Sequence, residues 1–186
     1  KNNIEILNYI NKKVLKKYFK RLFPIPRSIL GGGFRDSLNI LGEIVDLSIK
    51  KIKSGTNVLD WTIPLEWFIE DAYIITPSGK KIADFKKNNL SVVNYSTPVN
   101  KTLSLINLKK HLHTLPDLPK AIPYVTSYYK ERWGFCLPFN EYKNLPNGKY
   151  KVIIKSKLRK GYLVYSDKLI KGKSKKEILI STYLCH

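Results

Sequence analysis

The chain contains 186 residues, of which 43% are apolar and 12% aromatic, and it carries a formal charge of +20. This apolar content excludes a disordered chain, and the length allows either one large domain or one domain with an insertion. No apolar run is long enough to cross a membrane, and the first residues lack the apolar core of a signal peptide, so we expect a cytoplasmic protein with no membrane partner.

The positive charge comes mainly from lysine. Five of the 34 basic residues are arginines, the other 29 are lysines, and they are spread along the whole chain. Nucleic-acid interfaces favour clustered basic residues, often arginines, so this distribution indicates solvated surfaces more than a nucleic-acid partner. Cys136 and Cys185 provide no disulfide framework, which is typical of a reducing compartment. Because the sequence starts with Lys1 and contains no Met, we expect a fragment of a longer protein.

Two helices are predicted before residue 55. In 4–23 and again in 38–52, apolar residues recur at spacings of three and four, which is the pattern of an amphipathic helix. We interpret the first as a core-facing helix and not a membrane-surface helix, because apolar sequence continues beyond it. The glycines at 31–33 lie between the helices. They lack the Gly-Lys-Ser/Thr ending of a phosphate loop and follow a helix, so a structural turn is favoured over a phosphate site.

From residue 56 the pattern changes to β structure. Stretches rich in β-branched and aromatic residues, separated by turn residues, predict a compact and largely antiparallel β domain over 56–168. Its predicted elements are a turn at 77–79 between two strands, a strand at 90–96, a short helix capped by Ser104, and a hairpin formed by 150–158 and 162–170 around Lys160 and Gly161.

The last ten residues, "EILISTYLCH", form an apolar run without polar alternation. This pattern predicts a strand covered on both faces, as in the sheet of an α/β domain. In open α/β sheets, ligand and metal groups lie just past the carboxyl ends of the strands, and His186 follows this predicted strand directly. The fold class predicted is therefore α/β, divided into helices at 1–55, an inserted β-rich domain at 56–168, and the first part of a sheet at 169–186.

Several other residues have side chains suited to chemistry, but a structural role is the preferred interpretation of each. His111 and His113 would share a face on a strand and could chelate a metal there; we place them at the end of a helix, where they diverge. Cys136 has no nearby base to activate it. The carboxylates of this set are expected to pair with lysines and have no assigned role: Asp60, Glu66, Glu70 and Asp71.

The aromatic residues of 127–138, together with Trp61 and Trp67, admit two interpretations. A platform for stacking bases or sugars is rich in aromatic side chains, and so is a packed core. We favour packing, because large aromatic side chains dominate cores.

Six stretches together carry a resemblance to a known family: "RSILGGGFRDSL", "SGTNVLDWTIPLEW", "DAYI", "LSVVNYSTPV", "IPYVTSYYKERWGFCL" and "EILISTYLCH". From about residue 20 to its end, the chain resembles a bacterial family of aminopeptidase-like proteins. The fold of that family is similar to that of the metallopeptidase family 28 zinc aminopeptidases, with a β-rich domain of unknown function inserted into an α/β peptidase domain. Genes of the family are often associated with surface-polysaccharide loci.

The resemblance implies a zinc-dependent hydrolase that cleaves a peptide or related amide bond. The Cys-His pair of the family matches Cys185 and His186, so His186 is implied as a zinc ligand in a site that holds two ions in the full-length protein. The remaining ligands and the catalytic base of the family have no counterpart in these 186 residues. A catalytic zinc usually needs three protein ligands, so we expect the chain by itself to be inactive.

A second hypothesis comes from another class of function. The basic β domain could be a non-catalytic module that binds an acidic polysaccharide or a nucleic acid. A steep salt dependence of binding to a polyanion would favour this hypothesis.

Overall fold

The computed structural model describes residues 12–184 and divides the chain into two compact units. One unit consists of Ile52–Leu163, and the other combines the residues that precede and follow it in sequence. The described chain contains both helices and antiparallel strands. None of its helices has the length and apolar character needed to cross a membrane.

Two helices form the main structure of the unit that precedes and follows Ile52–Leu163 in sequence: α1 over Lys12–Leu22 and α2 over Gly32–Gly42. The prediction of a helix over 4–23 is confirmed for Lys12–Leu22, while 4–11 lies outside the described residues. Val14, Tyr18 and Leu22 lie on the more buried side of α1. The second predicted helix, over 38–52, extends too far toward the C-terminus. Helix α2 ends at Gly42, and a strand begins at Ser48.

The Glu43 carboxylate links the region after α2 to α1. Both terminal nitrogens of Arg21 donate to its two oxygens at 2.6 Å, and the Tyr18 hydroxyl donates at 3.2 Å. The hydrogen bonds from Arg21 lower the pKa of Glu43 to about 2. This bidentate pair therefore keeps its charges throughout the physiological pH range.

A four-stranded antiparallel sheet is the centre of the Ile52–Leu163 unit. Its order is β5-β4-β9-β6, with β4 at Glu66–Ile75, β5 at Lys81–Ile82, β6 at Val99–Ser104 and β9 at Lys149–Arg159. The predicted turn at 77–79 is confirmed between β4 and β5, and Gly79 adopts a φ of 82° there. Side chains that alternate along β4 and β9 form the buried core on one face: Trp67, Ala72, Ile74, Tyr150, Val152 and Ile154.

The remaining elements are short. They are β1 (Ser48–Lys53), β2 (Asn57–Val58), β3 (Trp61–Thr62), a 3₁₀ turn (Asn89–Ser91), α3 (Leu105–Lys109), β7 (Leu112–His113), β8 (Phe135–Cys136), α4 (Phe139–Lys143) and β10 (Tyr162–Asp167). The predicted cap of α3 is confirmed, because the Ser104 hydroxyl accepts from the Asn107 N–H at 3.4 Å.

Two strand predictions in the β domain are wrong. The strands on either side of Gly161 exist, but β10 pairs with β1 and not with β9. Since β4 and β6 occupy both edges of β9, no edge remains there for a hairpin partner. Residues 90–96 are buried without forming a strand, and Tyr95 has a left-handed φ of 68°, which interrupts an extended chain.

The predicted strand at the end of the chain is also absent from its described part. Residues 177–184 have no strand partner, and the exposed fractions of Ile178, Leu179, Ile180 and Tyr183 are 85–92%. A strand exists only when a neighbouring strand satisfies its backbone groups, and no described strand lies beside this segment. The apolar pattern is real, but it has nothing to pack against within residues 12–184.

Candidate functional site

The predicted zinc ligand, His186, lies outside the described residues, as does Cys185. Within residues 12–184, no group of three or more His, Cys, Asp or Glu side chains is arranged to hold a metal ion. A catalytic zinc needs three such ligands. The described residues therefore do not fit a zinc site, and the assignment of His186 stays a prediction.

The prediction that His111 and His113 lie at the end of a helix is wrong. They lie at the start of a short parallel strand pair. Helix α3 ends at Lys109, and β7 pairs Leu112 with Phe135 and His113 with Cys136. The His111 ring stacks on Trp133 with a centroid distance of 3.6 Å, and its Nδ1 lies 3.3 Å from the Trp133 carbonyl oxygen. These contacts attach the 133–136 segment to β7.

Gly134 explains why the two segments approach so closely. A Cβ atom at this position would lie 2.9 Å from the His111 carbonyl oxygen and 3.3 Å from the His113 Nε2. The Phe135 N–H donates to that carbonyl at 2.9 Å, and the Leu137 N–H donates to the His113 carbonyl at 3.2 Å. A residue without a side chain is required for this close backbone pairing.

Burial lowers the pKa of His113 below its usual 6.5, and the positive charge of Arg132 and the nearby His111 lower it further. The unfolded chain then binds a proton at a pH where the folded chain does not, so the free energy of unfolding should fall as the pH drops below about 6.5.

Replacing His113 with Gln is expected to flatten this acid slope. Urea unfolding at pH 7.5 and pH 5.5 measures it, and an unchanged slope in the variant would contradict the assignment.

Cys136 is fully buried, and burial raises the pKa of its thiol to about 12. The thiolate is the nucleophilic form of cysteine, so a thiol held neutral in this way is chemically inert. Its neighbours Phe135 and Leu137 are equally buried. Cys136 is therefore a residue of the core.

Trp67 and Tyr128 pack against other aromatic rings, whereas Tyr129 is 77% exposed. Trp67 is 5% exposed and stacks on Tyr95 at a centroid distance of 5.9 Å, and the Tyr128 ring contacts Tyr95 edge-on at the same distance. The Trp67 Nε1 donates to the Ser96 carbonyl oxygen at 3.0 Å. This arrangement supports packing over a stacking platform.

One of the three glycines at 31–33, Gly33, is explained by a close backbone contact. A Cβ atom on Gly33 would lie 2.2 Å from the Pro26 carbonyl oxygen, and the Gly33 carbonyl accepts from the buried Ser37 hydroxyl at 2.7 Å. The segment therefore brings α2 against the chain that precedes it, as the structural interpretation predicts.

Two of the four carboxylates that the sequence singled out pair with lysines. Glu70 lies 3.7 Å from the Lys155 Nζ, and Asp71 lies 3.4 Å from the Lys86 Nζ. These two carboxylates lie beside each other where the β4–β9 register shifts between Ile69 and Asp71. They belong to a surface that the sequence interpretation missed.

This surface is the exposed face of β9. Every second residue of Lys149–Arg159 is buried, and the opposite side of the strand carries five exposed cations: Lys149, Lys151, Lys155, Lys157 and Arg159. The signal was present in the sequence as "KYKVIIKSKLR", where basic residues alternate with the core residues. We call these five side chains the β9 cation row.

A shallow open groove of about 610 Å³ lies at one end of the β9 cation row. It is lined by Phe68, Ile69, Glu70, Lys155, Ser156, Lys157 and Arg159. The Arg159 guanidinium covers the Phe68 ring at 3.6 Å, and the Lys81 ammonium covers the Tyr73 ring at 4.0 Å. The groove is therefore bordered by cations, and the Phe68 and Tyr73 rings are each covered by a cation.

Comparison with known proteins identifies the class of protein that the chain is similar to. Residues 66–157, which include β4, β6 and β9, match a family model described as a domain of unknown function, DUF2172. The relatives found are named as peptidase-like proteins.

A protein of Clostridium acetobutylicum named "Putative polysaccharide biosynthesis protein with aminopeptidase-like domain" is 49% identical over 167 residues. That match covers 90% of this chain and 38% of the relative. A crystal structure titled "putative peptidase", also from Clostridium acetobutylicum, matches with a TM-score of 0.80 and 46% identity over 87% of this chain and 40% of that one. The chain therefore spans about two fifths of the length of these relatives.

Proposed function

We propose that this chain is the N-terminal portion of a zinc-dependent, aminopeptidase-like hydrolase that cleaves a peptide or related amide bond. The observation that carries the proposal is the 49% identity, over 90% of the chain, to a relative named for an aminopeptidase-like domain. Identity at this level between long segments supports a shared role.

The exposed apolar segment near the end of the chain supports the same proposal. Four large apolar side chains between 178 and 183 are at least 85% exposed. Apolar clusters of this kind normally mark a contact surface. These side chains would be buried if the segment formed an inner strand of a peptidase-like sheet. In the proposal, this strand forms in the full-length protein and brings His186 to the edge of that sheet.

The 186-residue chain supplies one of the zinc ligands in this proposal. The described residues hold no group that fits a metal, so the further ligands would come from sequence that follows His186 in the full-length product. When bound, zinc would polarise the scissile carbonyl and acidify a water molecule. In this proposal, His186 donates a neutral imidazole nitrogen to the metal.

Zinc content of the full-length gene product tests the proposal without depending on a known substrate. We expect the purified protein to contain zinc, and His186→Ala to lose at least half of it and to lose hydrolysis of aminoacyl amides. His111→Ala is the matched control, because it also removes one imidazole, and it should retain the metal. The 186-residue chain alone should neither retain zinc through a desalting column nor hydrolyse these substrates.

Two results would count against the proposal. A full-length protein that binds no zinc, or a His186→Ala variant that retains zinc and activity at the level of His111→Ala, would exclude His186 as a ligand.

A further inference from the structure

We propose that the β9 cation row is a binding site for a linear carboxylated polysaccharide. This proposal is independent of the hydrolase assignment, because all the residues that carry it belong to the Ile52–Leu163 unit. The row lies on β9, which is flanked by β4 and β6 in the sheet. Its exposed side chains therefore project from the middle of a face and not from an edge.

The row is an unbalanced concentration of charge. Lys149 and Arg159 are ten residues apart, so at about 3.4 Å per residue the five cations extend over about 34 Å, with Ile153 between Lys151 and Lys155. In the described structure, Lys155 has Glu70 as an ion-pair partner, while Lys149, Lys151 and Lys157 have no carboxylate partner. Asp71 lies opposite Lys155, but it is paired with Lys86. The face therefore retains excess positive charge that a linear polyanion could neutralise along its length.

The groups beside the row are suited to sugar hydroxyls. On β6, the exposed residues opposite the row are neutral and polar: Asn100, Thr102 and Ser104. On β4, the Glu70 carboxylate is exposed at the groove and can accept hydrogen bonds from sugar hydroxyl groups. Hydroxyl groups need acceptors as well as donors, and this face provides both beside its cations.

The same features disfavour a nucleic acid. Single-stranded nucleic acids are held by bases that stack on exposed aromatic rings. The Phe68 and Tyr73 rings of this face are each covered by a cation, and the row contains one arginine and four lysines. Lysine acts as a point charge and does not provide the planar fork that reads bases and phosphates.

The test is binding of the full chain to polygalacturonate, with neutral dextran and single-stranded oligothymidylate as comparison ligands. Titration calorimetry at several salt concentrations measures affinity and its salt dependence. We expect polygalacturonate to bind, dextran not to bind, and the oligonucleotide to bind more weakly. The double variant Lys151→Gln/Lys157→Gln should reduce polygalacturonate affinity by about tenfold and make the salt dependence shallower, since two charge contacts are lost.

The matched control is Lys110→Gln/Lys120→Gln, which removes the same charge from exposed positions outside the sheet. It should change the affinity less than about twofold. Equal losses in the two double variants would show that net charge, and not the row, attracts the ligand. Absence of polygalacturonate binding, or tighter binding of the oligonucleotide, would overturn the proposal. Circular dichroism of each variant confirms that the sheet is intact.

Discussion

Replacing Trp67 with Ala is expected to lower the free energy of unfolding by about 3–5 kcal/mol, the usual cost of deleting a large buried aromatic side chain. Trp67 is 5% exposed, stacks on Tyr95 and donates from Nε1 to the Ser96 carbonyl oxygen. The loss combines an apolar cavity with a missing hydrogen bond in the core. Urea unfolding followed by circular dichroism measures it.

Two further variants separate the causes. Trp67→Phe keeps an aromatic ring but loses the Nε1 hydrogen bond, and should cost less than Trp67→Ala. The Ser96 carbonyl oxygen would keep one donor, because the Ser156 hydroxyl bonds to it at 2.7 Å. Trp61→Ala is the matched control, since Trp61 lies half-buried on the short strand β3. If Trp61→Ala destabilised the protein as much as Trp67→Ala, the assignment of Trp67 to the central core would be wrong.

Replacing Gly33 with Ala is expected to lower the free energy of unfolding by about 1–3 kcal/mol, as overpacking in a tight site does. The new methyl group would lie 2.2 Å from the Pro26 carbonyl oxygen and 2.8 Å from the Ile25 Cγ2 atom. One of these neighbours is backbone, so relief requires a shift of the chain between α1 and α2 and not a side-chain rotation. Thermal unfolding of the variant measures the cost.

Gly42→Ala provides a control at the other end of the same helix. No heavy atom lies within 4 Å of a Cβ atom built there, and Ala has the higher helix propensity. We expect this variant to be as stable as the natural sequence or more stable, by up to about 1 kcal/mol. Destabilisation of both variants to the same extent would indicate that helix geometry, and not the contact with Pro26, requires glycine at position 33.

Local sequence signals predicted the elements that depend on near neighbours. The Ser104 cap, the turn at 77–79 and the long alternating strand β9 are set by the side chains of a few consecutive residues. Helix α1 follows from its periodic apolar stripe in the same way. The same alternation places the cations of β9 on one face of the strand. The sequence interpretation overlooked this row, because it described the charge as spread along the whole chain.

Predictions that required knowledge of a partner strand failed. The apolar alternation on both sides of Gly161 is equally compatible with a hairpin and with two separate sheets, and the positions of β4, β6 and β1 decide between them. His111 and His113 follow a helix in sequence, but pairing with Phe135 and Cys136 makes β7 a strand. In both cases the deciding contact is with residues distant in sequence.

The sequence by itself determined helix α1, the Ser104 cap and the alternation along β9, because propensity, capping and alternation act over a few residues. The tertiary structure alone decided which strands pair, and it places the cations of β9 on the exposed face of a central strand. Strand pairing satisfies backbone groups between distant parts of the chain, so its outcome depends on which edges are already occupied. For the same reason, the apolar run at 177–184 has the sequence of a strand but lies without a partner among the described residues.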